Sequence, residues 1–151
     1  MQATFERIDR VIVDRLRRWS IPLLRIALGA VFLWFGALKV LDVTPVADLV
    51  ARTVYWVNAD WFVPLLGIVE MLIGIGLLLG RALRLVLLLF MGQMLGTFLV
   101  MIILPEVAFQ DGNPLKLTVE GEFVVKNLVL LAAGLVVGST VRKRSAVAGG
   151  S

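Results

Sequence analysis

Apolar residues dominate for about twenty positions in four separate places along the chain. These are Ile21–Leu41, Phe62–Leu79, Ala82–Leu104 and Val119–Gly138. A bilayer core takes about 20 helical residues to cross, at roughly 1.5 Å rise each. The pattern therefore predicts an all-α polytopic membrane protein whose core is a four-helix transmembrane bundle. Pro22 and Pro64 fall in the first turns of the predicted spans, where the missing N–H costs nothing, and Pro105 lies just past an end. The first run reads as a retained span, because it is long and no small-residue cleavage site follows it.

Two shorter patterns flank the spans. In "TFERIDRVIVDRLRRW", Phe5, Ile8, Ile12, Leu16 and Trp19 recur every three or four positions, with charges opposite. Such a stripe predicts an amphipathic helix over residues 1–20, lying on the cytoplasmic leaflet and separate from the first span. In "TPVADLVARTVYWV", Thr44 is placed to cap a short outer interfacial helix, with Pro45 at its first position. Val46, Leu49, Val50, Val54 and Val57 would form its apolar face, and Trp56, Trp61 and Phe62 suit the headgroup level. The outer loop before the fourth span holds the turn tetrad Asp111–Gly112–Asn113–Pro114, and "LKLTV" reads as a short extended piece. The domain plan is thus 1–20, amphipathic helix; 21–138, four-helix transmembrane domain; and 139–151, a basic, flexible cytoplasmic tail.

Composition supports the membrane reading: 60% of the residues are hydrophobic, and the mean hydropathy is +0.95. Cysteine and histidine are both absent. That excludes disulfides, thiol redox chemistry, Fe–S clusters and His-ligated haem or zinc on this chain. Charge settles orientation. Eleven basic residues against three acidic ones lie on the side of the termini, and four basic against seven acidic lie on the other. The positive-inside bias puts both termini in the cytoplasm. Because the basic residues cluster at span ends, they report topology, and nucleic acid is not an expected partner.

Polar residues inside the spans carry the candidate chemistry. In the first span Arg25, Gly29, Phe32, Gly36 and Lys39 share one helical stripe, and in the second Gly67, Glu70 and Gly74 do. Small residues beside polar ones predict close helix contacts around a polar interior. Gly92-x-x-x-Gly96 beside Gln93 and Thr97, and Gly134-x-x-x-Gly138 with Asn127, extend the same expectation to the third and fourth spans. Helical rise puts Glu70 and Gln93 level at mid-depth, with Lys126 about 6 Å and Lys39 about 12 Å outward, and Arg25 about 9 Å toward the cytoplasm. Arg25 and Lys39 are also near enough to span ends to snorkel, and Lys126 can pair locally with Glu122. Glu70 is too central to snorkel, so it needs a partner, a proton or water. Met71, Met91, Met94 and Met101 read as packing.

The segments "RIALGAVFLWFGALKVLD", "GIVEMLIGIGLLLGR" and "GEFVVKNLVLLAAG" together resemble the DoxX-like membrane proteins. The likeness is greatest to the YkgB-type branch, with its G-x-x-K, its second-span Glu and its final G-x-F-x-x-K-D-L-V-L-L. It carries over Gly36, Lys39, Glu70, Gly121, Phe123 and Lys126, while Asn127 stands where that branch has Asp. The resemblance implies a four-helix protein of the bacterial inner membrane, tied to quinone-linked oxidation and oxidative stress. The leading expectation is a redox-associated subunit that binds a quinone-like head group or small anion at Lys39, Glu70 and Lys126. Gln93, Arg25 and Asn127 are further ligand-binding candidates. The lysines would hydrogen-bond the ligand, and Glu70 would exchange a proton as the candidate catalytic residue. An exchangeable quinone is the expected cofactor, with no metal and no haem ligated by this chain, and the redox centre would sit on a membrane or membrane-associated partner. Homo-oligomers are a further expected assembly. Two other readings stand beside it: a non-catalytic accessory subunit or scaffold, and a small oligomeric transporter.

Overall fold

The computed structural model describes residues 2–141, with side chains from Asp9 onward. The expected tail from residue 142, and the apolar positions Phe5 and Ile8, lie outside that description. Helix α1 spans Gln2–Val40, α2 Ala47–Thr53, α3 Ala59–Leu79, α4 Leu83–Thr97, α5 Leu99–Ile103, α6 Pro105–Ala108 and α7 Val119–Ser139. Four stretches are long and apolar enough to cross a membrane: Asp9–Val40, Ala59–Leu79, Leu83–Ile103 and Val119–Ser139. The protein is all-α, and it is a multi-pass membrane protein. Large apolar side chains such as Leu72, Leu88, Ile102 and Val129 point outward, as a surface bathed in lipid tails requires and one bathed in water forbids.

The sequence boundaries of the second and fourth spans are met within a few residues, and the caps explain why. Asn58 accepts at Oδ1 from the Asp60 N–H at 2.8 Å, and Gly80 takes the left-handed conformation (φ 65°) that closes α3. Thr118 caps α7 by accepting from the Gly121 N–H at 3.0 Å, and its own hydroxyl donates to the Val107 carbonyl. That second bond ties α7 to the short helix α6. A tight turn over Gln110–Gly112 and one isolated antiparallel bridge, Phe109 to Leu117, fold the outer loop; of the expected extended piece "LKLTV", only Leu117 pairs, and Val119 already opens α7.

Four expectations are corrected. The amphipathic stretch and the first span are one helix, with no break at residue 20. Nothing in Arg15–Ser20 stops a helix: there is no glycine cap, and turns already formed on both sides carry the chain through Pro22. Pro22 and Pro64 are accordingly interior, not first-turn, residues. Each removes one backbone bond, a loss that long membrane helices tolerate. The stripe residues Ile12, Leu16 and Trp19 are exposed on the continuation of the span, with no described element covering them. Second, Thr44 does not cap the outer helix, which starts at Ala47 without a side-chain cap. Third, the third span covers Leu83–Ile103 as expected but is not regular throughout: α4 ends at Thr97 and α5 begins at Leu99. Around Phe98 the backbone bonds step by three residues, Phe98 N–H to Leu95 and Met101 N–H to Phe98. Thr97 Oγ1 donates to the Met94 carbonyl at 2.7 Å, a back-bond that bends helices. Fourth, Gly92 and Gly96 do not pack in the bundle; both are exposed, and a Cβ on either would meet nothing within 4 Å.

The tightest packing is α1 against α3. A Cβ on Gly67 would stand 2.7 Å from the Gly36 carbonyl, and one on Gly74 would stand 2.7 Å from the Gly29 carbonyl. Glycine stripes on both helices let the two backbones touch. Helices α3, α4, α7 and α1 then close a four-helix ring, each packed on the next. Its apolar core centres on Phe90, Ile73, Leu77 and Val137, with Phe32 stacked on Phe90 at 4.8 Å between ring centroids. Gly134 gives Phe90 its room. All these residues lie in the half of the bundle nearer the basic end, where α3 ends, α4 begins and α7 ends. The polar residues sit just beyond them, toward the acidic end.

Candidate functional site

Lys39 and Glu70 meet because α1 and α3 are antiparallel. Side chains on a helix lean toward its N-terminus. Lys39 therefore leans from near the acidic end toward mid-depth, and Glu70 leans up to meet it. Gly36 and Gly67 are level, so the two residues start about 9 Å apart along the axis, three helical residues on either side of that contact. Their side chains span the gap. Lys39 Nζ donates to Glu70 Oε1 at 2.9 Å and to Oε2 at 2.7 Å. Both residues are buried, at 6% and 7% exposure. Gly67 keeps the passage open, since a Cβ there would strike the Lys39 Cβ.

Gln93 completes the cluster from α4. Its Nε2 donates to the same Glu70 Oε1, so the two side chains meet across α3 and α4. Its Oε1 is buried and has no hydrogen-bond partner among the described residues. Lys39 spends two N–H groups on Glu70 and keeps a third. The cluster is thus internally paired, yet it presents one free acceptor and one spare donor in a setting where an unmet polar atom is costly.

One turn outward from Gln93 a second polar contact crosses the helices. Asn127 Nδ2, on α7, donates to Thr97 Oγ1 at 3.0 Å. This bond joins α7 to the tighter step between α4 and α5 at Thr97–Phe98. Thr97 stands beside Gln93 in the sequence, but its place at the step between α4 and α5 carries no sequence signal. Below the cluster, the Phe32–Phe90 pair sits one turn from Gln93 and closes the side toward the basic end.

Two expected members are elsewhere. Lys126 is exposed and pairs with Glu122 at 3.3 Å, with its ammonium 5.3 Å from the Phe123 ring centroid. It is one residue before Asn127, about 100° round the helix. Because Asn127 faces inward, Lys126 cannot. Arg25 is partly buried but stands toward the basic end, far from Glu70 along the bundle, where it lines a separate cavity.

A family model, that of DoxX, matches residues 20–102, more than half of the chain. The chain belongs to the DoxX family. The match takes in α1 from Ser20 and runs through α5 to Ile102, so it contains Lys39, Glu70 and Gln93, while Asn127 and Lys126 lie beyond it. Family membership agrees with the membrane architecture. No curated protein and no solved structure matches the chain.

Proposed function

We propose that the Lys39–Glu70–Gln93 cluster binds the head group of a quinone-like molecule or a small anion, and that this DoxX-family chain is a redox-associated subunit of the bacterial inner membrane. The observation that carries the reading is the buried Gln93 Oε1 without a donor, beside a lysine with an unused N–H. A quinone carbonyl accepts from Lys39, and the hydroxyl of its reduced form donates to Gln93. Glu70, bonded to both, is placed to take or give the proton. Because the chain has no cysteine or histidine, the electrons come from a partner oxidoreductase. Gly92 and Gly96 favour lateral entry from the lipid, since they precede and follow Gln93 on α4 and leave the surface beside it uncovered. The resemblance to the YkgB-type branch supports the same reading.

Glu70→Gln separates this function from simple helix cohesion. Glutamine keeps the shape and accepts from Lys39, but it cannot ionise. The variant is expected to purify as a folded protein and to bind a short-chain quinone at least tenfold more weakly than wild type, measured by fluorescence quenching in detergent micelles. Unchanged binding would return the cluster to the role of interhelical glue in a non-catalytic scaffold.

The proposal includes an orientation, with both termini in the cytoplasm. A single cysteine at Asp111 is expected to react with a membrane-impermeant maleimide in intact cells, and one at Gln2 only after lysis. The reverse pattern would invert the topology.

A further inference from the structure

We infer that the basic end of the bundle holds a binding site for a phosphate oxyanion, supplied by the phosphodiester head of a leaflet lipid or by free phosphate. A cavity of about 220 Å³ opens there between α1, α4 and α7, lined by Ile21, Pro22, Arg25, Leu83, Val137, Thr140 and Val141. That volume is several times the roughly 30 Å³ share of one water. Among the described lining residues Arg25 supplies the only charge. Among the described residues its Nε is buried without a hydrogen-bond partner, and its guanidinium makes no ion pair. Its acidic neighbours by sequence, Asp9 and Asp14, lie two turns or more away on α1.

The rest of the lining says what kind of molecule fits. A guanidinium fork pairs with phosphate through two parallel bonds. The Thr140 hydroxyl donates its proton to the Val137 carbonyl at 2.7 Å, so it offers an oxyanion no donor, and Arg25 is the donor side chain of the lining. The remaining five lining residues are apolar. Charge at one wall and hydrocarbon at the others is the profile of an amphiphile whose phosphate sits on Arg25 and whose glycerol and chains lie along Ile21, Leu83 and Val141. Leu83 also opens α4, whose first turn has no side-chain cap, so the local field favours an anion. Arg18, Arg81 and Arg84 are exposed at the same end and raise the local concentration of anionic groups. This site shares no residue with the Lys39–Glu70–Gln93 cluster.

The test uses the full chain, delipidated in a mild non-ionic detergent and examined by native mass spectrometry. Phosphatidylglycerol, diacylglycerol with the same acyl chains, and inorganic phosphate are added separately. Wild type is expected to retain phosphatidylglycerol at least tenfold more tightly than diacylglycerol. Arg25→Gln is expected to bring it down to the diacylglycerol level. Val141→Trp fills the cavity, keeps the charge, and is expected to weaken retention as well, which guards against a misfolded Arg25 variant. Inorganic phosphate binding lost in Arg25→Gln, without lipid selectivity, would support the oxyanion site and assign it to the free ion. Equal retention of phosphatidylglycerol and diacylglycerol with no phosphate binding, or full retention by folded Arg25→Gln and Val141→Trp, would overturn the inference.

Discussion

Glu70→Leu is expected to destabilise the folded bundle by about 2.5 kcal/mol, and Lys39→Met in the same chain is expected to restore most of that loss. The sizes of the competing effects lead there. An interhelical hydrogen bond in a membrane contributes about 0.6 kcal/mol on average, so the two bonds from Lys39 and the one from Gln93 account for under about 2 kcal/mol together. A charge left unpaired at mid-depth costs about 2.5–3.5 kcal/mol. Removing Glu70 alone strands the Lys39 ammonium at its buried position. Lys39 stands toward the acidic end and can withdraw part of the way to the interface, which places the loss at the low end of that range. Removing both charges leaves two apolar side chains of similar volume, the case in which a buried pair is replaced with little net change. Unfolding in mixed micelles with dodecyl sulfate gives the cycle directly. If the double variant is as unstable as the single one, the pair is not the unit that matters.

Gly36→Leu and Gly92→Leu are expected to differ sharply although both replace a glycine in a span. At Gly36 the added side chain meets the α3 backbone and Met71. Backbone cannot give way as a side-chain tip can, so the helices must separate, at about 3 kcal/mol or more. Separation also withdraws Lys39 from Glu70, because their pairing depends on the Gly36–Gly67 approach. At Gly92 nothing lies within 4 Å, and leucine is the better helix former by under about 1 kcal/mol. Stability there should hold or rise. The same unfolding assay reads both variants, and similar losses at the two positions would mean that the exposed face of α4 is covered by something in the membrane.

That contrast also shows what the sequence could reveal. Hydropathy located the spans because lipid imposes length and composition on each one separately. The stripe Gly29, Gly36, Lys39 and the stripe Gly67, Glu70, Gly74 were legible because close helix contact demands small residues on the facing surface. Helical rise was enough to bring Glu70 and Gln93 within reach of each other, and their side chains do meet. Azimuth was harder. Gly92 stands about 200° round the helix from Phe90, and Phe90 is the centre of the core, so the glycine pair faces away. Depth alone groups Lys126 with the cluster, although its 100° offset from Asn127 points it elsewhere. The fusion of the amphipathic helix with the first span and the three-residue step at Phe98 depend on what is missing, a stop signal in one case and regular backbone bonds in the other. Neither leaves a pattern of hydrophobic positions.

The cluster's role as a ligand site is most directly examined by photoaffinity labelling in native membranes. A photoreactive quinone is irradiated with the wild-type chain, and the adducts are mapped by peptide mass spectrometry. Adducts confined to the peptides around Lys39, Glu70 and Gln93–Thr97, and lost in Glu70→Gln, are expected. Adducts spread over the outward leucines of α3, α4 and α7 and unchanged in Glu70→Gln would contradict a quinone site at this cluster.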